Sequence, residues 1–130
     1  MSARPVLVDS CFYIQQKRNG FDPLRLLALT AAQRDLVTCG VVNCEVGRGV
    51  REPRVLERFQ RFWDVMINVP TDHRLWNETL SLAWMLDRRG IFLPLTDVLI
   101  ACCAKRVGAA VLTLDQHFYQ IPDLHVMAEL

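Results

Sequence analysis

Hydrophobic positions in the chain fall into two kinds of run. Val6-Leu7-Val8, Leu36-Val37-Thr38-Cys39, Met66 to Val69, Ala109 to Thr113 and Leu124 to Met127 are short and continuous, with no in–out alternation. Such runs read as strands buried on both faces. Between them lie segments with helical spacing and helical punctuation. Cys11 to Lys17 is stopped by Asn19-Gly20. Asp22-Pro23 opens a helix with Asp at the N-cap and Pro in the first turn. Val42 to Val50 forms the next, and Pro53 starts another with Val55, Leu56, Phe59, Phe62 and Trp63 on its apolar side. Asp72 to Arg89 is the longest, closed by Gly90. Thr96 is the expected N-cap of a helix over Asp97 to Val107 that ends at Gly108, and a short turn or helix carries His117 and Phe118. Strands and helices alternate, which predicts an α/β sandwich: a central, mostly parallel sheet of four to five strands covered on both faces.

Composition narrows this picture. A chain of 130 residues has room for a single domain over 1–130 with a real core. With 52% hydrophobic and 22% charged residues, extended disorder is excluded, and some surface is expected to be covered by a partner. Fifteen basic against fourteen acidic residues exclude a strongly basic nucleic-acid coat but not a local patch. Lys17 and Lys105 are the only lysines, so the basic set is mostly Arg. That suits bidentate phosphate contacts and equally reflects genomic base composition. No apolar run reaches the roughly 18 residues of a membrane span, and Asp9 interrupts any secretory pattern, so no membrane association and a cytoplasmic location are expected. The five cysteines (Cys11, Cys39, Cys44, Cys102 and Cys103) contain no C-x-x-C and read as small apolar fillers in a reducing compartment.

The candidate chemistry lies with the acids. In an open parallel sheet, ligands bind outside the carboxyl ends of the strands. Asp9 follows the first strand, Asp115 follows Val111 to Leu114, Glu45 lies early in the helix after the second strand, and Asp97 lies in the first turn of a helix. Each alone has an ordinary explanation: a strand-end turn, a solvated helix residue or a carboxylate at a helix dipole. Yet Asp9, Glu45 and Asp97 are embedded in apolar sequence, where acids are costly unless paired, protonated or bound to a cation. Oxygen-only ligands select hard ions such as Mg²⁺ or Mn²⁺, which suit phosphodiester hydrolysis. No G-x-S-x-G, Walker or G-x-G-x-x-G motif competes.

With these residues in place, the chain resembles a PIN-domain ribonuclease, specifically the VapC-type toxins of bacterial toxin–antitoxin pairs. Four motifs carry the resemblance: Val6-Leu7-Val8-Asp9-Ser10; Val42-Asn43-Cys44-Glu45-Val46 with Gly49 beyond; Leu93 to Ala101 around Thr96-Asp97; and Val111 to Phe118 around Asp115, followed by Ile121-Pro122-Asp123-Leu124. The resemblance implies a PIN-like three-layer α/β/α sandwich. It implies that Asp9, Glu45, Asp97 and Asp115 form a catalytic metal site for Mg²⁺ or Mn²⁺, with Ser10 and Thr113 in support. It also implies a single-strand-specific endoribonuclease, a homodimer, and inhibition by a cognate antitoxin that covers the site. Cys11 stands where a small polar residue is common in the family, and His117, expected in a structural or hydrogen-bonding role, where many members carry Asp.

Two surfaces extend the reading. Arg48, Arg51 and Arg54 lie close after Glu45 and are candidate RNA contacts, while Arg54, Arg58 and Arg61 share a helical face that reads as solvated. Trp76, Leu80 and Trp84 recur at i, i+4 and i+8 and point to core packing plus a dimer or antitoxin interface. Replacing Asp9 or Asp97 by Asn is expected to abolish cleavage and leave the fold intact or more stable. The alternatives are a PIN-fold RNA- or protein-binding module without cleavage, and a nuclease acting on DNA.

Overall fold

A computed structural model describes residues 3–130. Five strands form one all-parallel sheet: β1 (Val6–Val8), β2 (Leu36–Cys39), β3 (Ile67–Val69), β4 (Ala110–Leu112) and β5 (Val126–Met127). Six α-helices and a 3₁₀ turn (Gln116–Gln120) connect them: α1 (Ser10–Arg18), α2 (Pro23–Ala31), α3 (Gly40–Gly47), α4 (Pro53–Asp64), α5 (His73–Arg88) and α6 (Leu95–Arg106). The architecture is a three-layer α/β/α sandwich. None of the helices is long and apolar enough to cross a membrane.

Four helix starts follow from their sequence. The side chains of Asp9, Asp22 and Asp72 accept hydrogen bonds from the backbone N–H of Ser10, Leu24 and Leu75, capping α1, α2 and α5. Pro53 stands in the first turn of α4. Gly90 (φ +79°) and Gly108 (φ +67°) adopt the left-handed conformation that ends α5 and α6, as their positions after long helical runs predicted.

Two helix starts differ from expectation. Thr96 does not cap α6. The helix begins two residues earlier at Leu95, with Pro94 as N-cap and no side-chain cap. The Pro94 carbonyl accepts from Asp97 N (3.0 Å) and Val98 N (3.2 Å), so the proline's fixed extended backbone sets the entry in place of a hydroxyl. Likewise α3 runs over Gly40–Gly47 rather than Val42 to Val50. It leaves β2 with no intervening loop, and 48–50 form a turn closed by Gly49 N to Val46 O and Val50 N to Gly47 O.

Strand order is β3-β2-β1-β4-β5. The chain winds outward from β1 to β3 and then returns to lay β4 on the other side of β1. The direction of winding therefore switches between β1 and β4, and a crevice opens at their carboxyl ends. Val6, Leu7 and Val8 pair with Ala110, Val111 and Leu112, which aligns Asp9 with Thr113. The core is built on these central strands and on α6, whose seven residues Val98 to Ala104 are all buried. That continuous burial is why α6 shows little helical amphipathicity in sequence. Tyr13, Phe59 and Trp63 join α1 to α4 by edge and tilted ring contacts, and the Trp63 indole N–H donates to the Tyr13 hydroxyl (3.2 Å).

Candidate metal centre

Asp9 leaves β1 and stands at the β1–β4 switch point, where its backbone N–H continues the ladder to Leu112 O (3.0 Å). Its side chain is only 3% exposed, so its oxygens need partners from the protein. Oδ1 accepts the Ser10 N–H (2.9 Å), and Oδ2 accepts the Thr113 hydroxyl (2.9 Å) and the Cys11 thiol (3.0 Å). Thr113, 1% exposed, uses the same oxygen to accept the Asp115 N–H (2.9 Å). One hydroxyl thus ties the acid after β1 to the acid after β4.

Glu45 comes from α3, which leaves β2 at the same edge, and its Oε1 accepts the Ser10 hydroxyl (3.3 Å). Burial raises the Glu45 carboxyl above its ordinary range. The charges of Asp9 and Asp97 raise it further, against the Ser10 hydrogen bond. Asp97 lies in the first turn of α6. Burial raises it too, with Asp115 and Asp9 adding repulsion and His117 opposing. These mutual influences place the four acids in one electrostatic neighbourhood.

His117 closes the other side. Its Nδ1 lies 3.0 Å from Asp97 Oδ2 and 3.2 Å from Asp115 Oδ1, and its backbone N–H donates to Asp115 Oδ1 (2.9 Å). The hydrogen bond to Asp97, with the charges of Asp115 and Asp97, raises the imidazole above its usual value. Asp97 and His117 thus both hold their protons more firmly than in water. Among the described residues, Asp97, Asp115 and His117 are the one set of three donors whose ligand atoms lie within 4.8 Å of one another.

The centre therefore has two halves. Asp9 and Glu45 are linked through Ser10, and Asp97 and Asp115 through His117. Ser10 and Thr113 both contact the acids they were expected to support. His117 makes the hydrogen bonds expected of it.

Not all cysteines are apolar fillers. Cys39, Cys102 and Cys103 are buried, but Cys44 is exposed and Cys11 sits inside the centre. The Cys11 sulfur accepts the Leu114 N–H (3.3 Å) and lies 3.1 Å from the Thr113 hydroxyl besides its bond to Asp9. Burial, then the charge of Asp9, pushes the Cys11 thiol up to about 11, so it serves as a neutral donor. Its place two residues after an acid, in the first turn of a helix, was the available signal.

Arg48 follows α3 at the C-cap, and Arg48, Arg51 and Arg54 are exposed. Arg58 instead forms an ion pair with Asp22, holding α4 to α2. Arg61 lines an open groove of about 820 Å³ between α3 and α4, with Cys44, Arg48, Leu56 and Glu57. On α5, Trp76, Leu80 and Trp84 are 46%, 65% and 58% exposed, and the Arg88 guanidinium stacks over Trp84 at 4.5 Å. Core packing therefore does not account for this stripe.

A family model described as PIN domain matches residues 6–124. No curated protein matches the chain in sequence. Among solved structures, the chain is similar to DNA-bound VapBC from Salmonella typhimurium, with TM-score 0.75, 19% identity, and 96% of this chain and 98% of that chain covered. It is also similar to VapBC2 from Rickettsia felis bound to a promoter DNA fragment, with TM-score 0.70, 20% identity and coverage of 95% and 97%. A toxin–antitoxin complex from Klebsiella pneumoniae gives TM-score 0.66, 20% identity and coverage of 96% and 99%. At these identities the likeness is one of fold.

Proposed function

The chain belongs to the PIN-domain family, and from that premise we propose that it is a metal-dependent endoribonuclease that hydrolyses phosphodiester bonds of single-stranded RNA as the toxin of a toxin–antitoxin pair. The observation that supports this reading is the mutual influence of the acids at the carboxyl edge of the sheet: burial with the charges of Asp9 and Asp97 raises the Glu45 carboxyl, and burial with the charges of Asp115 and Asp9 raises that of Asp97. Acids so placed are destabilised as anions unless a cation joins them, and their oxygen donors suit Mg²⁺ or Mn²⁺. A divalent ion held there supplies Lewis acidity toward a phosphate oxygen and lowers the pKa of water.

The residues of the chain divide the remaining work. Asp9, fixed by three hydrogen bonds, is the rigid anchor. Glu45, Asp97 and Asp115 complete the acid set; Ser10 donates to Glu45, and Thr113 ties Asp9 to the Asp115 backbone. Arg48, Arg51 and Arg54 form no ion pair among the described residues, which leaves them available to the RNA backbone. The exposed Trp76-Leu80-Trp84 stripe supports a protein partner, either a second copy or a cognate antitoxin.

The decisive experiment incubates purified protein with a mixed RNA pool and with single-stranded DNA, under Mg²⁺, Mn²⁺ or EDTA. New ends are mapped, with Asp97→Asn as control. RNA cleavage dependent on metal and on Asp97 is expected. RNA binding without cleavage under either ion identifies a binding module, and preferential cleavage of DNA identifies the other nuclease class.

A further inference from the structure

We infer that His117 is itself a metal donor through Nδ1, so that Asp97, Asp115 and His117 form a mixed nitrogen–oxygen half of the centre that favours a first-row transition dication over Mg²⁺. The inference rests on the reading that the acid cluster binds a divalent cation, and it concerns which donor and therefore which ion.

The spacing carries the argument. Nδ1 stands 3.0 Å from Asp97 Oδ2 and 3.2 Å from Asp115 Oδ1, and all three donor atoms lie within 4.8 Å of one another. Two donors each about 2.1 Å from one ion and at right angles are about 3 Å apart. The two edges that meet at Nδ1 thus already have the length of neighbouring ligands in a coordination shell.

The imidazole is also held for this task. Its backbone N–H is tied to Asp115, and the adjoining Phe118 is fully buried, so the 3₁₀ turn is fixed on the core. The side chain remains 43% exposed, which leaves the ring open to solvent for ion exchange. No Lys or Arg among the described residues forms an ion pair with Asp9, Glu45, Asp97 or Asp115, so the imidazole is, among those residues, the one basic side chain paired with these acids.

Nitrogen in the donor set changes ion preference. Mg²⁺ takes oxygen donors almost exclusively, whereas affinity for imidazole-containing sites rises along the first transition row from Mn²⁺. Asp9 and Glu45 offer oxygen only, so the two halves differ in hardness.

The test uses Mn²⁺ alone on the full chain, read by pulsed electron paramagnetic resonance for modulation from a coordinated nitrogen, together with Mn²⁺ affinity in competition with Mg²⁺. Nitrogen modulation is expected in the wild type, His73→Asn and His125→Asn, and is expected to be lost in His117→Asn. In His117→Asp, which restores an all-oxygen set, the ratio of Mn²⁺ to Mg²⁺ affinity is expected to fall at least about tenfold, the least that disturbing a ligand's surroundings typically costs. Thermal melts confirm that each variant is folded. Metal binding without nitrogen modulation, modulation that survives His117→Asn, or an unchanged ratio in His117→Asp overturns this inference and leaves the acid site standing. A wild type that binds neither ion overturns both.

Discussion

Thr113→Val removes one oxygen and keeps the side chain's shape. That oxygen donates to Asp9 Oδ2 and accepts the Asp115 N–H, each at 2.9 Å, in a residue that is 1% exposed. The bond to Asp9 is charge-assisted, and its loss leaves a buried carboxylate oxygen with the Cys11 thiol alone, costing about 1.5–3 kcal/mol. The Asp115 N–H is partly buried and loses part of a further bond, bringing the total to about 3 kcal/mol. For a chain of this length that corresponds to roughly 10 °C in melting temperature. Thr113→Ser keeps both bonds and sheds one methyl, worth about 1 kcal/mol. The assay is urea unfolding and thermal melting of both variants in EDTA, which separates this effect from metal binding. A Thr113→Val melt within a degree or two of wild type, or equal losses in the two variants, refutes the assignment of Thr113 as the tie between the two acids.

The remaining expectations are shorter. Metal-free protein gains stability as pH falls through the folded-state values of Glu45 and Asp97, because both carboxyls, raised in the folded state, bind protons more tightly there than in the unfolded chain. His117 has the same sign: its raised value contributes stability that is present below the unfolded value of about 6.5 and lost as pH rises through the folded one. Saturating Mn²⁺ competes with those protons and reverses the trend, and melts that show neither effect contradict it. Asp97→Asn abolishes cleavage without lowering metal-free stability, whereas Asp9→Asn, against the sequence expectation of an intact or more stable fold, also destabilises, since an amide whose oxygen takes the Thr113 hydroxyl and Cys11 thiol turns its NH2 against the Ser10 N–H, and the flipped amide turns it against the other two; equal melts for the two variants argue against this distinction. Alkylation at pH 8, mapped by mass spectrometry, modifies exposed Cys44 well before Cys11, and comparable rates refute the neutral-donor role of the latter. Tyr13→Phe strands the buried Trp63 N–H and costs about 1–2 kcal/mol in urea unfolding, with no change in metal affinity.

Much of the fold was legible because its signals are local. Continuous apolar runs marked the buried parallel strands, and Asp22-Pro23, Gly90 and Gly108 marked helix ends by simple backbone chemistry. The start of α6 was misplaced because Thr96 looked like a cap by side chain, while Pro94 set the entry by backbone geometry. Asp9 and Asp115 were legible as strand-end acids. That Thr113 bonds to both could not be read from spacing alone, since it depends on the β1–β4 register. Cys11 was hidden for another reason: a thiol beside an acid and a thiol in a core look alike in composition, and only burial with three polar neighbours separates them.

The pairing of β1 with β4 has a consequence for biogenesis. The Asp9–Thr113 bond closes a loop of 104 positions, and the central strand has one of its two neighbours only when that loop is closed. A nascent polypeptide carrying just the amino-terminal two-thirds holds Asp9 and Glu45 but neither their counterparts nor a completed sheet. Such long-range closure delays formation of the proposed metal centre until the residues through Asp115 are available to fold.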